Sequence, residues 1–388
     1  MIACTILLSM KLFELGEYIW SHPGYVLIMS LVLAFLIVYI SIPSIVTVAH
    51  CKRLYDEPGH RKSHHVSVPH LGGVAIFAGL VITTGIFAKI TESIEFTPII
   101  ASIVVLFFIG VKDDLLIIAP SKKLYGELLS AFIVVVVANL RLTSLHGFLG
   151  ITEIPYLVSV VLSMFVVIVI VNAYNLIDGI DGLASALGIV SAVAFGVWFR
   201  VAGLHNYAIL AASLAGSLAA FFIFNVFGKQ NKIFMGDTGS LIVGLVISVL
   251  AIKFNQANIH LMAPFAIASA PAVSLGFLAV PMFDTIRVFS IRILRKKSPF
   301  TPDKNHIHHR LLKLGYSHLA ATVILSVYSI CMAITVILLH HVGIIFLTLI
   351  LLCIAIVCSA LIEAVIRKNK RKQAIKMEVP SAVRLIAQ

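Results

Sequence analysis

Apolar runs of 18 residues or more recur along almost the whole of this chain, and few folds can accommodate them. Inside a bilayer every backbone N–H and C=O must find its partner within the protein, which leaves helices and closed barrels. Barrel strands are short and alternate in polarity, whereas these runs are long and uniformly apolar. The expected fold is all-α: a polytopic integral membrane protein. Composition agrees, with 60% of the 388 residues hydrophobic, 12% charged and a mean hydropathy of +1.06. About eleven transmembrane helices are predicted, at 24–43, 71–90, 96–111, 125–140, 155–172, 183–203, 206–226, 239–257, 262–283, 318–339 and 343–366. Short links predict antiparallel hairpins for 71–90 with 96–111 and for 183–203 with 206–226. No polar stretch is long enough for a soluble domain. Residues 1–388 therefore read as one integral membrane domain with a basic tail at 367–388. The first twenty residues read as an amphipathic lead-in, since no basic n-region or A-x-A site marks a cleaved signal peptide.

The basic residues set the orientation. Loops 44–70, 112–124, 173–182, 227–238, 284–317 and 367–388 hold 24 of the Lys and Arg residues, and the other face holds five. The positive-inside bias makes the first set cytoplasmic, with the N-terminus outside and the C-terminus in the cytoplasm. The net charge of +12 thus reports orientation and does not call for nucleic acid. All eight aspartates fall in or beside the cytoplasmic set, so the candidate chemistry gathers on one face. An ion-coupled transporter would instead spread its acids through the membrane depth; Glu127 is the main residue that fits that pattern. The five cysteines show no CxxC pair and indicate neither a disulfide nor a metal.

Five clusters carry the chemistry. In Val171–Ala184 (VNAYNLIDGIDGLA), Asn172, Asn175, Asp178 and Asp181 crowd the mouth of a membrane helix. Helical spacing keeps Asn175, Asp178 and Asp181 near one face, and Gly179 and Gly182 loosen the helix end. Buried polar groups at such a place default to a functional site. RKSHHVSVPHLGGVA (61–75) sets basic residues before a helix start, which suits an anion, although a positive-inside anchor with a turn accounts for the same residues. VKDD (111–114) pairs Asp113 with Asp114, one able to ligate a divalent ion while the other accepts a proton. KIFMGDTGSL (232–241) places Asp237 at a helix start and Phe234 where it can stack on a flat base or pack in the core. DKNHIHHRLLKLG (303–315) concentrates His306, His308, His309 and Arg310; with no Cys or closed ligand set, phosphate binding is preferred over zinc. Acids for a hard metal and cations for phosphates are the parts of a phosphoryl-transfer site.

The motifs RKSHHVSVPHLGG, VKDD, NAYNLIDGIDGLA, FMGDTGS, PMFDT and HIHHRLL, in that order, resemble those of the polyprenyl-phosphate N-acetylhexosamine-1-phosphate transferases over about residues 24–366. These enzymes move a sugar-1-phosphate from a UDP-sugar to a polyprenyl phosphate and release UMP. The HIHHR form is similar to the branch that transfers GlcNAc-1-phosphate to undecaprenyl phosphate. The HVSVPHLGG loop departs from the K-x-GTPTMGG loop of the MurNAc-pentapeptide branch. The resemblance implies an enzyme of the bacterial inner membrane with its site facing the cytoplasm. It implies UDP-N-acetylhexosamine and undecaprenyl phosphate as substrates, the bilayer and a second copy of the chain as partners, and no nucleic acid. Mg²⁺ is the implied cofactor, with Mn²⁺ as the alternative. Asp113 and Asp114 would be catalytic, with Asp113 as the base or the two roles reversed, and His308 is counted with them. Asp237 would ligate the metal with help from Asn175. Asp181 and Phe234 would hold the uracil. His308, His309 and Arg310 would contact the diphosphate or sugar, and Lys62 and His64 would line the same cleft. Asn172, Asp178 and His306 complete the expected substrate-binding set.

Overall fold

The computed structural model describes residues 22–54, 68–89, 93–116, 118–261, 265–296 and 305–386, with side chains described as far as residue 369. The elements in order are α1 (Pro23–Lys52), α2 (Gly72–Phe87), α3 (Phe96–Leu116), α4 (Pro120–Phe132) and a π-helical turn (Ile133–Val137). They continue as α5 (Tyr156–Ile177), α6 (Leu183–Val201), α7 (His205–Phe227), α8 (Gly236–Ala257), α9 (Ala270–Phe277) and α10 (Ala279–Leu294). A short α11 (Ile307–Lys313) precedes α12 (His318–Leu339) and the long α13 (Ile344–Ile386). Among the described residues there is no strand, only an isolated bridge between Phe148 and Ile151. The all-α membrane fold is what the long apolar runs require. By length and composition seven helices can cross a membrane, and eight if the bent pair α9–α10 counts as one.

Each expected span contains a helix, but three depart from the expected form. The segment at 71–90 is a 16-residue helix. The segment at 125–140 is α4 followed by the π-helical turn. The segment at 262–283 is not one span: the chain turns at Leu278, bends by 88° between α9 and α10, and runs on to Leu294. Residues 262–264 lie outside the described residues. The hairpin of α6 with α7 is tightly packed, as the short link predicts. α2 and α3 also meet, with Phe77 stacked on Phe107 at 3.9 Å between ring centres, although α2 packs more extensively on α1, α7 and α8, and α3 on α8 and α4.

The hub is α8. Nearly nine-tenths of its apolar window is buried, against about one-tenth for α13, and it touches α2, α3, α5, α6, α7 and α9. Without a hydrophobic drive between helices in lipid, close approach of backbones through small residues holds such a centre together. Gly73 of α2 and Gly110 of α3 both lie against the first turn of α8. A Cβ on Gly110 would come 2.7 Å from Thr238 N, and one on Gly73 would overlap Thr238 and Gly239. On the next turns, Gly244 of α8 faces Val171 of α5, where a Cβ would come 2.6 Å from Val171 Cα. Small side chains thus bring three helices onto the end of α8 that carries Asp237.

Candidate active site

Three helix ends meet at the start of α8. Asp113 and Asp114 come from the end of α3, Asn175 from the last turn of α5, and Asp237 from the first turn of α8. A fourth element supplies a residue that motif reading passed over. Lys123, in the first turns of α4, places its Nζ 2.6 Å from Asp237 Oδ1, 3.3 Å from Asp113 Oδ2 and 3.5 Å from Asn175 Oδ1. Asn175 also donates through Nδ2 to Asp237 and, at 2.9 Å, to Ser240 Oγ. Asp113 is buried, and its Oδ1 accepts from Ile118 N at 2.9 Å. Two carboxylates and an amide oxygen from three helices therefore point at one cationic position.

Asp114 faces a different way from its neighbour. Its Oδ1 accepts from Asp237 N at 2.6 Å, and its Oδ2 accepts from Thr238 N at 3.0 Å and Thr238 Oγ1 at 2.5 Å. The carboxylate caps α8 and satisfies donors that a helix start leaves open, in the electrostatically favourable sense. It thereby fixes the backbone from which Asp237 projects. The start of α2 is closed as well. Gly72 N and Gly73 N donate to Phe234 O and Met235 O, each at 2.9 Å, and Phe234 N donates to Pro69 O at 2.9 Å. The glycines of 72–73 thus dock the loop before Asp237, and the first two peptide donors of that helix start are taken by protein carbonyls. Lys62 and His64 lie outside the described residues.

The turn after α5 forms where its glycines predict. Gly182 adopts φ +79°, which favours a residue without Cβ, and its N–H donates to Asn225 Oδ1 at 2.5 Å. Asn225 Nδ2 donates in turn to Ile233 O at 2.8 Å, so the turn and the Phe234 loop share one support. Asp181 accepts from Lys232 Nζ at 2.8 Å and lies 3.4 Å from His318 Nδ1. Lys232 Nζ stands 5.7 Å from the Phe234 ring centre, which places Asp181, Lys232 and Phe234 in one group. Asp178 is half-buried. Loss of water, then the carboxylates of Asp237, Asp114 and Asp181, raise its carboxyl to about 7. Asn172 turns elsewhere: its Nδ2 donates to Glu127 Oε2 at 2.6 Å and to Ile168 O at 2.9 Å.

The histidine motif is held from beneath. Asp284 of α10 is buried, accepts from Ile307 N at 3.0 Å and Arg287 Nη2 at 2.6 Å, and pairs with His306 Nδ1 at 2.9 Å. This is the aspartate of PMFDT, for which the residues alone gave no role. His308 is 1% exposed, its two ring nitrogens have no hydrogen-bond partner, and its ring lies against Gly179 of the Asp178 turn. Burial and the neighbouring His309 ring, 4.2 Å away, hold its pKa down to about 3. His308 is therefore a neutral imidazole beside the acids. Arg310 donates to Asn305 O at 3.2 Å and to Glu363 of α13. So Asp113, Asn175, Asp237 and Lys123 form one centre. Asp178 and His308 border the turn beside it, Asp181 and Phe234 form a second group, and Asn172, His306 and Arg310 are engaged by protein partners. Lys123 sits in a P-S-K-K sequence at a helix start, where it reads as one more basic residue of the cytoplasmic face. Glu127, one turn on, was visible only as an acid inside an apolar span.

Residues 96–255 match the family described as glycosyl transferase family 4. The chain is 30% identical over 348 residues to a probable undecaprenyl-phosphate N-acetylglucosaminyl 1-phosphate transferase of Bacillus subtilis, covering 87% of this chain and 92% of that protein. It is 29% identical over 286 residues to the undecaprenyl-phosphate alpha-N-acetylglucosaminyl 1-phosphate transferase of Yersinia pestis, covering 72% and 75%. The Escherichia coli K12 protein of the same description is 28% identical over 285 residues, with the same coverage.

Proposed function

The chain belongs to glycosyl transferase family 4, and from that membership and the geometry above we propose that it transfers N-acetylhexosamine-1-phosphate from a UDP-sugar to undecaprenyl phosphate. The names of its relatives favour GlcNAc over MurNAc-pentapeptide as the transferred group. UMP leaves, and the product is an undecaprenyl-diphosphate sugar, the first membrane step toward a cell-surface polysaccharide. The site faces the cytoplasm of a bacterial inner membrane, as the bias of 24 basic residues against five favours. The observation that carries this reading is the convergence of Asp113, Asn175 and Asp237 oxygens on the Lys123 ammonium.

The donor set suits a hard divalent cation. Among the described residues no three His, Cys, Asp or Glu side chains form a ready-made cage. Mg²⁺ commonly takes one or two carboxylates and completes its shell with water and substrate phosphate, and two carboxylates with an amide oxygen match that habit. Asp237 and Asn175 would hold Mg²⁺, or Mn²⁺ in its place; when bound, the ion supplies positive charge to the diphosphate and its leaving nucleotide. Asp113 takes the proton of the acceptor phosphate, and its Oδ1 bond to Ile118 N keeps Oδ2 turned to the centre. The acceptor oxygen bonds to the sugar-bearing phosphorus while the bond to UMP breaks, with no covalent enzyme intermediate. Lys123, which holds Asp237 and Asp113, would yield Asp237 to a bound ion and offer its charge to the phosphates. Lys232 and Phe234 frame the place for the base, with Asp181 as its hydrogen-bond acceptor. An apolar cavity of about 180 Å³ beside α5, α8, α9 and α10, lined by Ile170, Leu275 and Met282, offers a berth to part of an isoprenoid tail.

The test is UMP release from UDP-GlcNAc by the purified protein, with and without undecaprenyl phosphate and Mg²⁺. Asp237→Asn should lower the rate by about 100-fold or more, the scale of losing one charge-stabilising group at a transfer centre. UMP release that ignores the lipid acceptor, or an undiminished Asp237→Asn rate, would refute the assignment. Trapping a phosphorylated Asp113 would refute the direct displacement.

A further inference from the structure

Glu127 of α4 is 3% exposed, and no step of the transfer uses it. Buried carboxylates are ordinarily held by a cation or a metal, because an uncompensated charge inside a membrane protein is costly. Among the described residues Glu127 has no ion-pair partner; its bond is from an uncharged amide, Asn172 Nδ2 to Oε2 at 2.6 Å. The charges of Lys123 and Asp237 both reach it. Lys123 and Glu127 are four residues apart in α4, which sets their Cβ atoms about 5–6 Å apart on one face. Asn175 and Asn172 are three apart on α5. Two rungs therefore join these helices. Lys123 Nζ meets Asn175 Oδ1 at 3.5 Å, and one turn further from the helix ends Asn172 meets Glu127. The outer rung coincides with the metal position. Lys123 Nζ, 2.6 Å from Asp237 Oδ1, takes the same two oxygens, Asp237 Oδ1 and Asn175 Oδ1, that the proposed function gives to a divalent ion. Two cations on one carboxylate oxygen repel strongly in a site shielded from water. An ion can settle there only as Lys123 leaves, and an ammonium that leaves one anion inside the protein needs another.

We propose that Glu127 is the second seat of Lys123: the ammonium guards the metal position by pairing with Asp237, and it moves one turn along α4 to Glu127 Oε1 when a divalent ion takes Asp237 and Asn175. The inference rests on the metal position assigned under the proposed function. Oε2 stays on Asn172 Nδ2 throughout, so the receiving carboxylate is oriented in both arrangements. The exchange leaves Lys123 paired before and after, and it keeps the lysine beside the centre until a diphosphate offers it a further anion. Glu127 is thus a positioning residue that acts on the ion through Lys123.

The test is Mn²⁺ binding by the purified full chain, without nucleotide or lipid acceptor, read as loss of the free-ion signal in electron paramagnetic resonance. Glu127→Gln keeps an acceptor for Asn172 and should weaken Mn²⁺ binding by about tenfold, because Lys123 is then left on Asp237. Lys123→Met removes the competing cation and should tighten binding by about tenfold. In the Lys123→Met background, adding Glu127→Gln should change affinity by less than about twofold. Melting curves establish that each variant is folded, and the Lys123→Met result decides alone if Glu127→Gln melts well below wild type. A Glu127→Gln loss of equal size in both backgrounds is a plain effect of the missing charge and overturns the proposal. So does Mn²⁺ binding that Lys123→Met leaves unchanged or weakens. Mn²⁺ binding that survives Asp237→Asn overturns the metal position itself and the inference with it, whereas the other two failures leave that position standing.

Discussion

Replacing Asp114 by asparagine sets an amide donor against the donors at the start of α8, where the carboxylate now accepts three bonds. Bonds to a charged acceptor are worth about 1.5–3 kcal/mol each, so Asp114→Asn should lower stability by about 2–3 kcal/mol and carry activity down with it. Asp113→Asn keeps the acceptor for Ile118 N and should leave the melting temperature unchanged while UMP release falls by about 100-fold or more. Melting curves and rates for the two variants, side by side, separate the capping carboxylate from the one that faces the centre. Asp178 supplies a pH signature. Its folded pKa of about 7 lies above the unfolded value near 3.9, so the folded state holds the proton more tightly. The stability it contributes is complete at low pH and is lost as pH rises toward 7. In metal-free buffer, wild type relative to Asp178→Asn should lose melting temperature between pH 5 and pH 8. The comparison cancels His308, whose lowered pKa acts in the opposite sense below pH 6.5. Much of this was legible in the chain, because acids in an apolar mouth are too costly to be incidental. Lys123 and Asp284 were not, since a basic residue in a basic-rich loop and an aspartate near a helix end each have ordinary uses. Only their partners, 114 and 22 residues away, give them roles.

Helices were readable from hydropathy and hairpin partners from short links, but the gathering of helices around α8 was not. Periodicity says little when a helix is apolar all round, and α2, α3 and α8 differ in neighbours through single glycines. Gly110→Ala tests that. Alanine gains about 0.8–1 kcal/mol of helix propensity over glycine, whereas overpacking a filled contact costs about 1–3 kcal/mol. With Thr238 backbone in the way, the clash should win, and the variant should melt lower and work more slowly. Gly85→Ala, on α2 with open space around it, should melt at the same temperature or higher. The 88° bend between α9 and α10 escaped the sequence because 262–283 is apolar enough to span unbroken and Pro271 sits at a helix start, where proline is tolerated.

The whole molecule has two unlike faces, and one native cysteine can tell them apart. Cys51 is exposed near the end of α1, whereas Cys331 and Cys353, also exposed, and Cys358 lie within the apolar lengths of α12 and α13. In a Cys4→Ser background, a membrane-impermeant maleimide should label inverted vesicles at Cys51 and leave right-side-out vesicles unlabelled. The reverse pattern would invert the orientation drawn from the basic residues. A consequence follows for how the acidic face can grip its substrates. Many nucleotide enzymes cradle phosphate in bare peptide groups at the mouth of a helix. Here two such mouths, those of α2 and α8, are already stoppered by carbonyls and by a carboxylate. On the proposed function, grip on a diphosphate would therefore fall to individual side chains and to an ion held by them, and could be dismantled one charge at a time.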